Sequence, residues 1–310
     1  MKFLVTGGAG FIGSNIVEEL LKRGHSVRVL DNFATGKREN LKEFNSDIDL
    51  MEGDIRSYHI VRQAVKNIEI ILHQAALPSV PRSINDPITT NEVNVMGTLN
   101  ILDAAKDAGV RRIIYASSSS VYGDNPELPK RENMLPNPLS PYAVSKLAGE
   151  KYCQVFGKLY DIETVILRYF NVFGPRQDPN SQYSAVIPKF IKAMKENRPP
   201  IVYGDGTQSR DFTYVSNIVE GNILAATREI ESGLVMNCAT HGQVSINDLI
   251  KQINELLSKQ IEPIYERPRP GEIKHSFADI ELIRRKLNYA TKIKFFDGLN
   301  KTIDWGLKRQ

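Results

Sequence analysis

The chain has 310 residues, 41% hydrophobic and 25% charged, and a formal net charge of +4. This describes an ordinary globular chain, large enough for one big core or two lobes. Its charge excess is too mild to argue for nucleic acid, though it suits an anionic ligand. No apolar run approaches a membrane span, and the N-terminal apolar residues read as a strand entering glycines rather than as a signal peptide. Two cysteines, Cys153 and Cys238, form neither a disulfide framework nor a metal-ligand spacing, so no metal is expected and the reducing cytoplasm is the expected compartment.

Lys2 to Thr6 is a short apolar run that predicts a buried parallel strand, and Phe11 to Lys22 has helical periodicity. Between them lies Gly7-Gly8-Ala9-Gly10-Phe11-Ile12-Gly13, placed at a strand-to-helix turn, where a glycine loop cradles a dinucleotide pyrophosphate. Gly7 permits the tight turn, Gly10 the close approach of backbone to phosphate, and Gly13 the packing of helix on strand. Free N–H groups at the helix start, around Phe11 and Ile12, face the phosphates. The spacing is a variant of the commoner G-x-G-x-x-G, and a glycine turn without a ligand is the bland alternative. A second strand, Ser26 to Leu30, ends at Asp31, whose carboxylate is placed to accept the adenosine ribose hydroxyls and to repel a 2′-phosphate, favouring NAD over NADP. Asn32 to Gly36 forms a loop lining the adenosine. A third strand ends at Gly53-Asp54-Ile55, where Asp54 reads either as a partner of the adenine amino group or as a surface turn.

Strand and helix patterns keep alternating: Ile70 to Leu72, a helix near Asn94 to Ala108, Arg112 to Ala116, the helix carrying Tyr142, then Thr164 to Arg168. Such alternation predicts an α/β fold, a doubly wound parallel sheet. Beyond Asn171 the pattern changes, with Pro175, Pro179, Pro188, Pro199, Pro200, Pro263, Pro268 and Pro270 interrupting short elements. The expected organisation is a cofactor-binding Rossmann domain over 1–168, joined by about 212–240, and a smaller substrate lobe formed mainly by 169–310. Ligands of such sheets bind beyond the carboxyl ends of the strands, so the cleft between the lobes is the expected site.

Tyr142-Ala143-Val144-Ser145-Lys146 puts a phenol and an ammonium at i and i+4 of one helix face. A tyrosine of pKa about 10 is a poor base near neutrality. A positive charge at ~4 Å, with an effective dielectric of ~20, is worth roughly 4 kcal/mol or three pKa units, enough to make Tyr142 a general base. Lys146 can also bond the nicotinamide ribose. Taken alone, such a pair is usually a solvated face; after a dinucleotide loop it reads as catalytic. The serine run Ser117 to Ser120 leaves a strand end at the same edge, and one hydroxyl, assigned to Ser118, is placed to hold the reacting oxygen.

These residues resemble the extended short-chain dehydrogenase/reductase superfamily over essentially the whole chain. Within it the sequence is similar to NAD-dependent UDP-hexose 4-epimerases, and above all to UDP-N-acetylglucosamine 4-epimerases. The stretches that carry the likeness are His73-Gln74-Ala75-Ala76, Ser79-Val80-Pro81-Arg82-Ser83, Leu167 to Gly174, Arg176 to Asn180 and Gly204-Asp205-Gly206. The resemblance implies that Tyr142 takes a proton from the sugar 4-hydroxyl while hydride passes to tightly held NAD, that a 4-keto sugar turns over in the site, and that hydride returns to its other face. It also places Gln74, Ala75, Ala76, Tyr169 and Val172 against the cofactor, and Ser79, Val80, Ser118, Ser119 and Asn171 on the substrate. Ala185, Val186 and Tyr203 fall where the nucleotide lies, Arg210 and Arg269 where arginines clamp the diphosphate, and Glu272 where a carboxylate meets the uridine ribose. Ser276 stands where enzymes restricted to plain hexoses carry a bulky tyrosine, so UDP-GlcNAc/UDP-GalNAc are expected alongside UDP-Glc/UDP-Gal. A homodimer is implied, joined through helices near 94–108 and 147–156.

Related dehydratases need an acid and a base after the catalytic Ser/Thr, and Ser119-Ser120 cannot supply them. A UDP-glucuronate 4-epimerase or decarboxylase stays open, because Arg82, Arg176 or His275 could serve a carboxylate. A binding protein without turnover is argued against by the presence of Ser118, Tyr142 and Lys146 together.

Overall fold

The computed structural model describes residues 1–179, 185–268 and 274–307. Strand β1 (Lys2–Thr6) is buried along almost its whole length and runs through the glycine turn into α1 (Phe11–Lys22). Gly7 turns the chain at φ +69°, and a Cβ on Gly13 would stand 2.2 Å from the Gly7 carbonyl oxygen. Only hydrogen fits there, so the helix begins hard against the loop. Next come β2 (Ser26–Asp31), β3 (Ile48–Glu52), α2 (Tyr58–Ala64) and β4 (Ile70–His73). Helices α3 (Val80–Asn85) and α4 (Pro87–Asn91) start with a proline in the first turn and a capping side chain: Ser79 accepts from the Arg82 N–H and Asp86 from the Thr89 N–H. A π-helical turn, Glu92–Met96, leads into α5 (Gly97–Asp107). Then follow β5 (Arg112–Ser118), α6 (Pro141–Leu159), capped by Ser140, and β6 (Glu163–Tyr169).

The second half has shorter elements: β7 (Val172–Phe173), α7 (Val186–Lys195), β8 (Ile201–Tyr203), β9 (Ser209–Arg210), β10 (Thr213–Tyr214), α8 (Val215–Thr227), β11 (Leu234–Cys238), β12 (Val244–Ser245), α9 (Ile246–Leu257), β13 (Ile264–Glu266), β14 (His275–Ser276), α10 (Glu281–Leu287) and α11 (Phe295–Leu307).

Among the described residues seven parallel strands form one sheet in the order β3-β2-β1-β4-β5-β6-β11. Every residue of β4 is buried, as the middle of a sheet covered on both faces requires. The order reverses between β1 and β4, which opens a crevice at the carboxyl ends of those strands. The small strands pair as β10-β7, β13-β8 and β12-β9-β14, the last set bringing Ser276 beside Arg210. Asp211, fully buried, fastens this region: its carboxylate accepts from the Thr240 N–H and hydroxyl and from the Ala278 N–H.

The two halves meet along several polar seams. Asn237 of β11 donates to the Lys130 and Asp279 carbonyls. After β7 the chain crosses α1: Asn15 donates to the Pro175 carbonyl, Arg176 pairs with Glu18 at 2.6 Å, and Lys37 pairs with Asp178 at 2.8 Å.

Candidate active site

A continuous cleft of about 1170 Å³ follows the carboxyl edge of the sheet beneath the second half. A pocket for one small ligand takes ~300–1,000 Å³, so this one has room for a dinucleotide and a second ligand. One end is walled by Gly7, Gly10, Phe11, Ile12, Gly13, Asp31, Asn32, Gly36, Asp54 and Ile55; the middle by Gln74, Ala75, Ala76, Ser118, Tyr142, Lys146, Tyr169 and Val172; the far end by Val80, Ser119, Asn171, Ala185, Arg210 and Ser276. Ser79, Val186 and Tyr203 are not brought to its walls: Ser79 spends its hydroxyl capping α3, Val186 opens α7 and Tyr203 ends β8. Arg269 and Glu272 lie outside the described residues.

The glycine end fits a dinucleotide. The added Cβ atoms that would clash at Gly7, Gly13 and Gly36 mark a cradle of bare backbone. Asp31, at the end of β2, is almost fully buried, and each oxygen takes one backbone N–H: Oδ2 from Ala9 at 2.9 Å and Oδ1 from Phe33 at 2.8 Å. Burial pushes its carboxyl up while those two bonds pull it down. Each oxygen keeps lone-pair capacity for a ribose hydroxyl. Asp54 bonds Asn32 and is held down by Arg56. Two buried polar atoms on the cleft wall, Ser120 Oγ and Gln177 Oε1, have no partner among the described residues. Buried polar groups are rarely left unpaired, and both residues line the cleft.

The reacting centre sits where β5, α6 and β6 converge. Lys146 Nζ donates to the Ala116 carbonyl at 2.8 Å and lies 5.1 Å from the Tyr115 ring. Burial pushes its pKa down to about 8. Tyr142 departs from the sequence expectation. Burial pushes the phenol up, and the group that pulls it down is Ser118, not Lys146. In a dry site the cost of desolvating a phenolate outweighs a neighbouring ammonium engaged elsewhere. His73 is neutral: burial pushes it to about 3. Its Nδ1 is 2.7 Å from Thr6 Oγ1 and its Nε2 3.0 Å from Thr98 Oγ1, whose own hydrogen goes to the Asn94 carbonyl. Asn171 has φ +32°, a left-handed backbone at the far end of the cleft, where strain is characteristic of working residues.

The model of the NAD dependent epimerase/dehydratase family matches residues 3–239. The chain belongs to that family. It is similar to the UDP-N-acetylglucosamine 4-epimerase of Methanobrevibacter ruminantium, 40% identical with a TM-score of 0.95 over 100% of this chain and 99% of that one. It is 38% identical to a putative UDP-glucose 4-epimerase of Methanocaldococcus jannaschii, over 97% of each. It is also similar to a Bacillus cereus UDP-glucuronic acid 4-epimerase solved with UDP-glucuronic acid and NAD, 36% identical with a TM-score of 0.92 over 100% of both chains. NAD is the cofactor of this epimerase/dehydratase chain.

Several residues of this family member were invisible to motif reading. Asn94, in the π-helical turn, holds the Leu77 N–H with its oxygen and donates to Ser145 Oγ from its amide, pinning α6 to the cofactor loop. Its signal, an irregular turn within a helix, exists only in the backbone geometry. Asn222 on α8 joins Gln74 to Tyr169: the Tyr169 hydroxyl donates to it at 2.8 Å and the Gln74 amide at 3.2 Å. Lys37, Arg82 and Lys130 also line the cleft. Arg176 and His275, the other candidates for a carboxylate, are engaged with Glu18 and Ser209.

Proposed function

We propose that the protein interconverts UDP-hexoses at C4, accepting both UDP-GlcNAc/UDP-GalNAc and UDP-Glc/UDP-Gal. The observation that carries this is the convergence of Ser118, Tyr142 and Lys146 on the middle of one cleft, with the dinucleotide cradle at one end and Asn171, Arg210 and Ser276 at the other. Bound NAD supplies the acceptor and donor of hydride and, when oxidised, a positive charge beside the phenol.

Tyr142 Oη takes the proton of the sugar 4-hydroxyl and returns it when the reduced sugar reforms. Ser118 holds the C4 oxygen and pulls the Tyr142 phenol down against its burial. Lys146, anchored on the Ala116 carbonyl, keeps its remaining donors for the nicotinamide ribose. Tyr169, fixed by Asn222 and Gln74, packs beside the ring. At the other end Asn171 and Arg210 take the diphosphate, with Ala185 flanking the nucleotide. Arginine suits that role through its forked donors, and Arg269 and Glu272 belong to the same proposal. Ser276 leaves space at C2 for an acetamido group. Asp31 selects NAD by repelling a 2′-phosphate.

Residues 1–168 together with about 212–240 form the cofactor half in this reading, and the rest the substrate half. A homodimer is proposed through the outer face of α6, where Val144, Tyr152, Val155 and Leu159 are exposed at helical spacing, beside Ile84 and Ile88 of α3 and α4. Val155→Glu with Leu159→Glu tests it by light scattering, the expected outcome being monomers. The cytoplasm is the proposed compartment, supported by two buried, unpaired cysteines.

The deciding experiment incubates the protein with UDP-Glc, UDP-GlcNAc and UDP-glucuronate and separates the products. Epimers of the first two are expected. Tyr142→Phe should lower turnover about 10³-fold or more while NAD stays bound; wild-type rates in that variant would sink the mechanism. Product from UDP-glucuronate alone would favour the second reading, in which Arg82 on the cleft wall serves the carboxylate.

A further inference from the structure

The buried face of α6 carries a third polar side chain that the reaction above does not use. Tyr142, Lys146 and Glu150 follow at four-residue steps and lie along one face. Glu150 is completely buried, and its carboxylate accepts three hydrogen bonds: from Ser117 Oγ at 2.5 Å and from Arg168 Nε and Nη2 at 2.8 Å each. Ser117 adjoins Ser118 at the end of β5, and Arg168 adjoins Tyr169 at the end of β6. The Arg168 guanidinium lies 4.7 Å over the Tyr122 ring, whose hydroxyl donates to Asn237 Oδ1 at 2.6 Å. One carboxylate thus ties together the three elements that present the reacting groups. A buried ion pair is weak evidence for added stability, since apolar residues of equal volume often do as well. What the carboxylate touches is the better guide to its use.

We propose that Glu150 is a positioning residue for the reaction at Tyr142: by holding the ends of β5 and β6 against α6, it fixes Ser118, Tyr142 and Lys146 relative to one another. This rests on the roles given above to Tyr142 and Lys146. From its own helix Lys146 faces Tyr142, Glu150 and Cys153, the last a thiol kept neutral by burial. From β5 it faces the Tyr115 ring and from β4 the neutral His73, while Arg168 of β6 is paired with Glu150. Helices α3 to α5 reach α6 through Asn94, an uncharged amide. Glu150 is the carboxylate in this set: its charge raises the lysine against burial, and its pairing with Arg168 keeps that effect partial.

The sign of the effect follows. Removing the Glu150 charge disfavours the ammonium and favours the phenolate, so both limbs of the activity–pH bell move to lower pH. Removing the Arg168 charge leaves an unbalanced carboxylate and moves both limbs to higher pH. The experiment measures kcat and KM for UDP-Glc from about pH 5.5 to 10 in NAD-loaded wild type, Glu150→Gln, Arg168→Met and the double variant. Displacements of about one pH unit in opposite directions are expected for the single variants. Losses of about tenfold in kcat at the optimum, with KM within about twofold, are also expected. The double variant should keep NAD, return the bell near its wild-type position, and retain a several-fold lower kcat. Single variants that lose activity without displacing the bell, or displace it in the same direction, overturn the proposal. If they fail to fold, the double variant decides, and wild-type kcat there overturns it. A wild type silent on every UDP-hexose overturns the reaction itself, whereas an active wild type with unmoved variants overturns only the role of Glu150.

Discussion

The two ends of the cleft are built differently. At the cofactor end the ligand surface is largely backbone, with Asp31 as its chief side chain, and it is held by close approaches that only glycine allows, such as Gly13 against the Gly7 carbonyl. At the substrate end it is side chains, presented by two- and three-residue strands that owe their position to Asp211 and to pairings across the chain, Ser276 beside Arg210 among them. A backbone surface tolerates no substitution but serves a ligand common to many reactions. A side-chain surface can be revised one residue at a time, and that is where choice of sugar resides.

The contrast can be broken at its strongest point by Gly13→Ala. The new methyl meets a carbonyl oxygen at 2.2 Å, and the expected outcome is protein purified without NAD, with overpacking costing about 1–3 kcal/mol or more in thermal unfolding. Asp211→Asn is the counterpart at the other end. It turns an amide toward the Thr240 or Ala278 N–H and strands one of these donors, at about 1–3 kcal/mol; a roughly tenfold rise in KM for the UDP-sugar is expected with NAD content unchanged. Loss of NAD in that variant would dissolve the division of labour.

Ser276→Tyr sharpens the comparison further. Filling the space beside the sugar should lower kcat/KM for UDP-GlcNAc by about tenfold or more relative to UDP-Glc, read by product chromatography of the two substrates in competition. The smallest effect is expected at the crossing over α1. Lys37→Met or Asp178→Asn removes a half-exposed ion pair, whose worth is about 0.2–1 kcal/mol, so NAD should leave the holoenzyme up to about fivefold faster. High salt should abolish the difference, because it screens the pair in the wild type.

The same contrast explains what could be read from the sequence. Lys2 to Gly13, Asp31 and the Tyr142–Lys146 helix were legible because each depends on local periodicity, a turn and a fixed spacing. Helix α1 begins and ends where its pattern predicts. The electrostatics of Tyr142 were not legible, because burial depends on the whole fold: a helical interval gives the neighbour but not the dryness of the site or the carbonyl that engages Lys146. Asp211, Asn94 and Asn222 escaped notice for a related reason. Their partners lie far away in sequence, on elements that meet only in the folded chain. Ser79, whose family position suggests substrate, also closes a helix end with its hydroxyl, a role that its family position did not announce.

Strand β11 comes from residues 234–238 yet pairs with β6, whose residues are buried almost throughout. During synthesis at ~5–20 residues per second, that flank of the sheet stays naked for several seconds after β6 has left the ribosome. An open row of unpaired amides is a template for stray partners. A nascent chain stalled or truncated between the two strands should therefore clump or attract chaperones, and a fragment ending at residue 168 should be a poor candidate for expression by itself.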